Sequence, residues 1–264
     1  MQENISLIDL GIELVDARIP LSSRNPDIDE LGKNKSRLIL LNKSDLADPK
    51  ANKLWMAYFK DKGFHVLEVN AKTGQGLRAI QPKVQEACKE KIERDRKRGI
   101  KNRPVRAIVV GIPNVGKSTF INSFAGKACT KTGNKPGVTK GKQWIRLNKN
   151  LELLDTPGIL WPKFEDNKVG MHLAFIGSMN DEIMIMEELA CDLLACLKKL
   201  YPDLIEKRYE IQWQEREADT LGEIARSRGC LLKGENLNLN KAANILLDDF
   251  RSGRLGRITL ELPE

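Results

Sequence analysis

The 264-residue sequence has 5% aromatic residues, five cysteines and two histidines. The cysteines are irregularly spaced without a Cys-x-x-Cys pair, which argues against a disulfide framework or a zinc site and favours a reducing compartment. No apolar run approaches the ~20 residues needed to cross a bilayer. Residues 1–14 lack the basic start and apolar core of a secretion signal. We therefore expect a cytoplasmic protein that does not span a membrane.

Short apolar runs alternate with helical patterns through the first part of the chain. Strands are predicted at residues 12–15, 38–41, 65–69, 107–110, 144–147 and 151–154, and helices at 50–62, 77–98 and 117–125. This alternation predicts an α/β fold with a mostly parallel sheet covered on both faces. From Asp166 onward the strand patterns stop and helical spacing dominates. We predict two domains, residues 1–165 and an all-helical C-terminal domain at 166–264.

Charge is distributed unevenly along the chain. Residues 1–177 contain 32 Lys and Arg against 19 Asp and Glu, whereas residues 178–264 contain 12 against 17. Residues 89–106 hold nine basic and three acidic residues, and residues 127–149 hold seven basic residues and no acid. Such stretches suit a phosphate-rich polymer, because each neutralised phosphate releases counterions. A solvated helix face explains the first stretch equally well.

A phosphate-binding loop is the strongest motif. The segment Gly111-Ile112-Pro113-Asn114-Val115-Gly116-Lys117-Ser118 fits G-x-x-x-x-G-K-[ST] and lies between a predicted strand and a predicted helix. Its glycines let the backbone curl, so that successive N–H groups and the helix N-terminus would face the phosphates. The candidate phosphate-binding residues are Pro113, Asn114, Val115, Gly116, Lys117, Ser118 and Thr119. Lys117 would reach the β and γ phosphates, and the Ser118 hydroxyl would bind Mg²⁺.

Two further segments complete the predicted phosphate and metal site. Asp155-Thr156-Pro157-Gly158 follows another apolar strand, so Asp155 would hold Mg²⁺ and the Gly158 N–H would sense the γ-phosphate. The same four residues also suit an ordinary turn. Thr139 is the candidate for a second Mg²⁺ hydroxyl, with Thr132 as its rival.

The nucleotide base is predicted from two motifs near the N-terminus. Asn42-Lys43-Ser44-Asp45 matches the Asn-Lys-x-Asp pattern of guanine-specific GTPases, in which a carboxylate such as Asp45 accepts from guanine N1–H and the 2-amino group while the Lys43 stem lies over the base. Asn70-Ala71-Lys72-Thr73 matches the weaker Ser-Ala-Lys type motif, whose Ala71 N–H would meet guanine O6.

The order of the motifs is unusual, because the base motifs precede the phosphate motifs. This order, with Val15-Asp16-Ala17-Arg18-Ile19-Pro20 upstream and Gly158-Ile159-Leu160-Trp161-Pro162 downstream, resembles the circularly permuted GTPases of the YlqF/RbgA type, the ribosome biogenesis GTPase A family. The resemblance covers nearly the whole chain. It implies a P-loop NTPase fold, a circularly permuted Ras-like GTPase, that acts in assembly of the large (50S) ribosomal subunit through an RNA-contacting helical domain.

The resemblance also bears on catalysis. Position 159 is Ile, which cannot orient water as the Gln found there in many GTPases does. Asn114 resembles the asparagine by which related enzymes hold K⁺ near the β and γ phosphates, although it could simply shape the loop. Family members usually carry an upstream Trp-Phe-Pro-Gly-His-Met stretch with a proposed catalytic His, and the sequence begins after it. His65 and His172 fit structural positions better, so we expect weak intrinsic hydrolysis.

The leading hypothesis is a GTPase that cycles between GTP and GDP, uses Mg²⁺ and K⁺, and binds rRNA in a nucleotide-dependent way, with no DNA partner. Arg251, Arg254 and Arg257 are a further candidate RNA contact. The alternative is a nucleotide-stabilised RNA-binding module whose hydrolysis is incidental, which Ile159 favours and which Lys117, Ser118 and Asp155 oppose. An ATPase is opposed by Asp45.

Overall fold

The computed structural model describes residues 7–26, 28–29, 35–100, 103–128, 143–155, 166–234 and 236–263. The chain divides into two compact units. The first contains Met1–Lys163 together with Glu261–Glu264, and the second contains Phe164–Leu260. The sequence assigns the last four residues to the helical domain, whereas the structure groups them with the first unit. No helix among the described residues is long and apolar enough to cross a bilayer.

The first unit is built on one six-stranded sheet. The strands are β1 (Leu10–Asp16), β2 (Ser36–Asn42), β3 (His65–Glu68), β4 (Val105–Val110), β5 (Gln143–Asn148) and β6 (Leu151–Asp155). Their order is β3-β2-β1-β4-β6-β5, and every neighbouring pair is parallel except β5 with β6. The predicted mostly parallel α/β sheet is therefore confirmed.

Strand β1 lies in the interior of the sheet, and this explains its apolar sequence. Ile12 stands beside Leu38 of β2 on one side and Val109 of β4 on the other. All three side chains are fully buried. Because helices cover both faces of such a sheet, its central strands show continuous apolar runs rather than alternation.

Four helices among the described residues of the first unit accompany the sheet. They are α1 (Pro49–Asp61), α2 (Ile80–Ala87), α3 (Lys89–Lys97) and α4 (Lys117–Ala128), and a 3-10 turn at Leu77–Ala79 precedes α2. Helix α1 begins after Asp48, whose side chain accepts a hydrogen bond from Lys50 N–H. Its Trp55 and Phe59 are buried in a core with Ile39 and Leu41 of β2.

The helix predicted over residues 77–98 is not continuous. Cys88 breaks it, with φ −104° and ψ 13°, and separates α2 from α3. Ile80 and Val84 are buried in α2, whereas α3 buries no side chain. The break marks the point where the apolar face that holds α2 against the sheet ends.

The second unit is helical throughout its described residues outside the loops. It contains α5 (Asn167–Phe175), α6 (Met186–Leu200), α7 (Pro202–Tyr209), α8 (Glu217–Ser227) and α9 (Leu239–Ser252), with a 3-10 turn at Asp181–Ile183. Leu189, Ala190, Leu193 and Leu197 recur in the sequence at the spacing of one helix face, and all four are buried in α6. The sequence does not predict α7, since Pro202 signals a helix end as well as a helix start.

Charged side chains join the helices of the second unit. Arg251 donates to the carbonyl oxygens of Ala174 and Phe175 at the end of α5 and pairs with Asp181. Arg254 pairs with the buried Asp249. Arg251 therefore joins α9 to α5, whereas Arg254 pairs at the C-terminal end of α9, and both Arg254 and Arg257 are exposed.

Candidate functional site

The predicted motifs lie at the carboxyl ends of neighbouring parallel strands. Asn42 ends β2, Asp16 ends β1, and the phosphate loop follows β4. Asp155 ends β6, beside Val109 of β4. Ligand sites of open parallel sheets form at this edge, because the loops that follow the strands converge there. Thr132, Thr139, Gly158 and Ile159 lie outside the described residues.

The phosphate loop connects β4 to α4 as predicted. Asn114 and Gly116 have left-handed backbone, with φ of 62° and 93°. A Cβ atom on residue 116 would lie 2.6 Å from Asn42 Nδ2, so only glycine fits there. Val115 is buried and Pro113 half-buried, whereas the first turn of α4 exposes Ser118 and Thr119. The loop thus leads into a helix N-terminus at the carboxyl ends of the strands, and two hydroxyl side chains are exposed on its first turn.

Asn42 connects the phosphate loop to both base motifs. Its Nδ2 donates to Val115 O at 2.7 Å, and its Oδ1 accepts from Ala71 N–H at 3.0 Å. The Ala71 amide that the sequence assigns to guanine O6 thus donates to Asn42 in this structure. Asn70 shapes its turn, because its Oδ1 accepts from the N–H groups of Lys72 and Thr73.

Lys43 makes a second connection to the phosphate loop. Its Nζ donates to Asn114 O at 2.8 Å and lies 3.0 Å from Asp16 Oδ2. The backbone of Lys43 is left-handed, with φ 57°. The ammonium group is therefore held between the end of β1 and the phosphate loop. Because Lys43 itself follows β2, its aliphatic stem spans the distance from the end of β2 to these contacts.

Asp45 differs from its neighbours in its contacts with the described residues. Its side chain is exposed and makes no hydrogen bond or ion pair with the part of the chain that the structure describes. Lys72 is likewise exposed. A carboxylate left unpaired beside a preorganised loop is available to accept hydrogen bonds from a ligand.

Comparison with known proteins identifies the family. A family model described as "50S ribosome-binding GTPase" matches residues 106–224. Ribosome biogenesis GTPase A of Bacillus cereus is 47% identical over 99% of this chain and 89% of its own length, and that of Bacillus pumilus is 46% identical over 99% and 93%. The chain belongs to the ribosome biogenesis GTPase A family. It is therefore a GTPase that hydrolyses GTP.

Solved structures agree with this assignment. GNP-bound YlqF from T. maritima superposes with a TM-score of 0.70 and 27% identity, covering 99% of this chain and 96% of that one. The GDP-bound form gives a TM-score of 0.71, 26% identity and coverage of 99% and 97%. In this GTPase the family-model match begins at Arg106 in β4, after both base motifs. That order agrees with the circular permutation inferred from the sequence.

The GTPase also contains a buried ion pair, Asp16 with Arg18, for which the sequence alone predicts no role. Arg18 Nε and Nη2 donate to the two oxygens of Asp16 at 2.9 and 2.8 Å. Burial by itself raises the pKa of the Asp16 carboxyl, but the adjacent charges of Arg18 and Lys43 outweigh it, and the pKa lies well below its ordinary value. In the sequence the pair appears as Asp16-Ala17-Arg18 after an apolar strand, a segment that is notable there only for its resemblance to the family.

The two histidines lie outside the predicted motifs. His65 begins β3, at the opposite edge of the sheet, and its Nδ1 is 3.5 Å from Glu86 Oε1. His172 is buried in α5 of the second unit, 6.2 Å from the ring centroid of Phe175. Both positions fit the structural roles expected from the sequence.

Proposed function

We propose that this GTPase binds a guanine nucleotide between residues 42–45, 70–73 and 111–118, and acts in assembly of the large ribosomal subunit through nucleotide-dependent contact with rRNA. The observation that carries the nucleotide site is the pair of hydrogen bonds from Asn42 and Lys43 to Val115 O and Asn114 O. These bonds join the base motif to the phosphate loop, so that one ligand can span both.

Guanine specificity would come from Asp45. Its exposed carboxylate can accept from N1–H and from the 2-amino group, a pair of donors that adenine does not present. The Lys43 stem would cover one face of the base. Ala71 N–H would contribute to O6 recognition once Asn42 shares or releases it.

The phosphates and metal would occupy the phosphate-loop side. Ser118, Thr139 and Asp155 would hold Mg²⁺, an ion that prefers hard oxygen ligands. When bound, the ion neutralises charge on the β and γ phosphates. Ser118 is exposed on the first turn of α4, and Asp155 ends the strand beside β4, which fits this role. Lys117 would reach the β and γ phosphates, and Gly158 N–H would sense the γ-phosphate.

A monovalent cation would assist hydrolysis. Asn114 is exposed at the tip of the phosphate loop in left-handed backbone, where a side-chain oxygen can face the β and γ phosphates. K⁺ held there would offset the charge that develops in the transition state, as an arginine finger does. Because Ile159 cannot orient water, we expect slow intrinsic turnover.

The ribosomal part of the proposal rests on relatives and on charge. The relatives are named for ribosome biogenesis, and the matching family model is named for 50S binding. Helix α3 buries no side chain, and its Arg94, Arg96 and Lys97 are exposed. A helix without an apolar face gains little from packing on its own unit, and a basic one suits RNA phosphates. Residues 127–149 would add charge near Thr139.

GTP hydrolysis measured in K⁺ and in Na⁺, each with and without large ribosomal subunits, tests this function. We expect turnover to be slow in Na⁺, faster in K⁺, and further stimulated by the subunit. Binding to the subunit should weaken steeply with salt and differ between GTP and GDP. Rapid turnover by the isolated chain, or subunit affinity that does not depend on the nucleotide, would contradict the proposal.

The alternative of a placeholder with incidental hydrolysis predicts a different phenotype for Lys117→Ala. That variant loses the contact with the β and γ phosphates. A GTPase switch should then lose nucleotide-dependent subunit binding, whereas a placeholder should keep subunit binding and function in assembly. Association of the variant with subunits by sedimentation distinguishes the two.

A further inference from the structure

The turn after β1 contains an ion pair whose position in the chain is informative. Asp16 and Arg18 are two residues apart, and their side chains are 0% and 1% exposed. Removing two charges from water is costly in a protein interior, and the attraction within a close pair offsets that cost only partly. Further hydrogen bonds to the two side chains are therefore needed to keep such a pair buried.

A further contact of the Asp16 carboxylate indicates a role for this pair. Asp16 Oδ2, already bound to Arg18 Nη2, also lies 3.0 Å from Lys43 Nζ. Lys43 Nζ in turn donates to Asn114 O in the phosphate loop. The backbone supports the same arrangement, because Ala17 N–H donates to Asn42 O and Asp16 N–H donates to Ser23 Oγ. The carboxylate is thus held from several directions with one oxygen directed at Lys43.

We propose that Asp16 and Arg18 are positioning residues for the guanine base, which act through Lys43. Asp16 anchors the Lys43 ammonium, so that the aliphatic stem is fixed across the face of the base before the nucleotide arrives. Arg18 holds the carboxylate in one orientation through two hydrogen bonds in a planar fork. The inference rests on the proposed guanine site, since it needs Lys43 to touch the nucleotide.

This role predicts a specific effect on base selectivity. A stem that lies over the ring contacts any purine, whereas Asp45 reads the N1–H and 2-amino groups of guanine. Inosine diphosphate lacks the 2-amino group of GDP. Loosening Lys43 should therefore weaken the binding of both nucleotides by the same factor. Asp45→Ala should instead lower the preference for GDP over inosine diphosphate.

A double-mutant cycle on the full chain tests the inference, with GDP affinity measured by calorimetry. We expect Asp16→Asn to weaken GDP binding about tenfold and Lys43→Ala to weaken it by at least as much. The double variant should bind GDP no more weakly than Lys43→Ala alone. Independent, additive losses would show that Asp16 does not act through Lys43. Unchanged GDP affinity in Asp16→Asn would also overturn the inference.

The outcomes separate this inference from the proposed function. If Lys43→Ala itself leaves GDP affinity unchanged, the proposed base site fails and the inference fails with it. If Lys43→Ala weakens GDP binding while Asp16→Asn does not, the proposed base site is supported and only the inference is contradicted.

Two further variants guard against a general folding defect. Arg18→Lys keeps the charge but not the planar fork, so it should weaken GDP binding about threefold and have no effect in the Lys43→Ala background. Glu13→Gln is the matched control, because Glu13 is a buried carboxylate on β1 that pairs with Arg24 and Arg37 rather than with Lys43. It should leave GDP affinity unchanged. A loss in Glu13→Gln equal to that in Asp16→Asn would overturn the inference, since any buried charge on β1 would then have the same effect.

Discussion

Lys43 Nζ donates a 2.8 Å hydrogen bond to the backbone oxygen of Asn114, 71 residues further along the chain. Both residues have left-handed backbone, which is uncommon for a residue with a side chain. Such backbone costs on the order of 1–3 kcal/mol per residue and persists only where surrounding contacts enforce it. The strain is thus located where the base motif meets the phosphate loop, as expected of a preorganised binding site.

Asn42→Ala should damage both the site and the fold. The substitution removes the hydrogen bonds to Val115 O and from Ala71 N–H, and leaves these two backbone groups without Asn42 as partner. An unsatisfied buried group costs about 1–3 kcal/mol. We expect a lower free energy of unfolding by about that amount and GDP binding weakened at least about tenfold. Urea denaturation and calorimetry measure the two effects.

Asn244→Ala is the control for that experiment. Asn244 is exposed on α9, and among the described residues its side chain hydrogen-bonds only to Asn240 one turn earlier. It should change the free energy of unfolding by less than about 0.5 kcal/mol and leave GDP affinity intact. Equal behaviour of the two variants would mean that Asn42 does not organise the site.

Gly116→Ala should abolish tight nucleotide binding. Its φ of 93° disfavours any side chain, and the added Cβ would lie 2.6 Å from Asn42 Nδ2. The loop must then shift, which separates the backbone N–H groups from the phosphates. The matched control is Gly126→Ala, where a Cβ meets nothing within 4 Å. Because alanine favours helix by about 1 kcal/mol over glycine, that variant should unfold at a slightly higher temperature and bind GDP normally.

Asp249→Asn should alter the pH dependence of stability. Burial raises the pKa of Asp249, but hydrogen bonds from Arg208, Arg254 and Tyr209 outweigh it and lower the pKa below its ordinary value. The folded state therefore favours the ionised carboxylate. This stabilisation is complete above the unfolded pKa of about 3.9 and is lost as pH falls through the lower folded value. In urea denaturation between pH 7 and pH 3, the free energy of unfolding of Asp249→Asn should fall less steeply with decreasing pH than that of the wild type.

Asp219→Asn controls for a surface effect. The pKa of Asp219 is also lowered, by its hydrogen bond with Arg216, but this pair is exposed. Exposed pairs contribute little, so the variant should follow the wild-type pH profile closely. An Asp249→Asn profile that coincides with wild type would contradict the role of Asp249.

Glu261→Ala should destabilise the first unit. The Glu261 carboxylate accepts hydrogen bonds from Leu21 N–H at 2.7 Å and Ser22 N–H at 3.1 Å, and its backbone oxygen accepts from Trp55 Nε1 at 2.9 Å. The substitution removes the carboxylate contacts and keeps the Trp55 contact. We expect a loss of about 1 kcal/mol in the free energy of unfolding. Glu206→Ala, at an exposed position on α7, should have no such effect.

The sheet could be predicted because burial on both faces leaves continuous apolar runs. Each of the six strands lies at a predicted position, but β1 extends from Leu10 to Asp16 rather than over residues 12–15. Pairing with β2 along its whole length determines those ends. Residue spacing within one strand carries no information on how long its neighbours are.

The motif residues could be predicted, but several of their contacts could not. Asn42 and Lys43 follow a strand pattern, and Gly111 to Ser118 follow another, so the spacing alone identifies both segments. Their hydrogen bonds to one another depend on β1 lying between β2 and β4. That strand order follows from packing of the whole sheet rather than from any local pattern.

The amino-acid sequence by itself determined which chemical groups are proposed to bind a guanine nucleotide, because motif spacing and strand periodicity are local properties. Only the tertiary structure decided that Asp16 and Arg18 support Lys43, and that Glu261 binds Leu21, 240 residues away in the chain. Such contacts depend on which surfaces pack together when apolar area is buried. Residues distant in sequence then share one dry environment, where a single hydrogen bond or charge has its full effect.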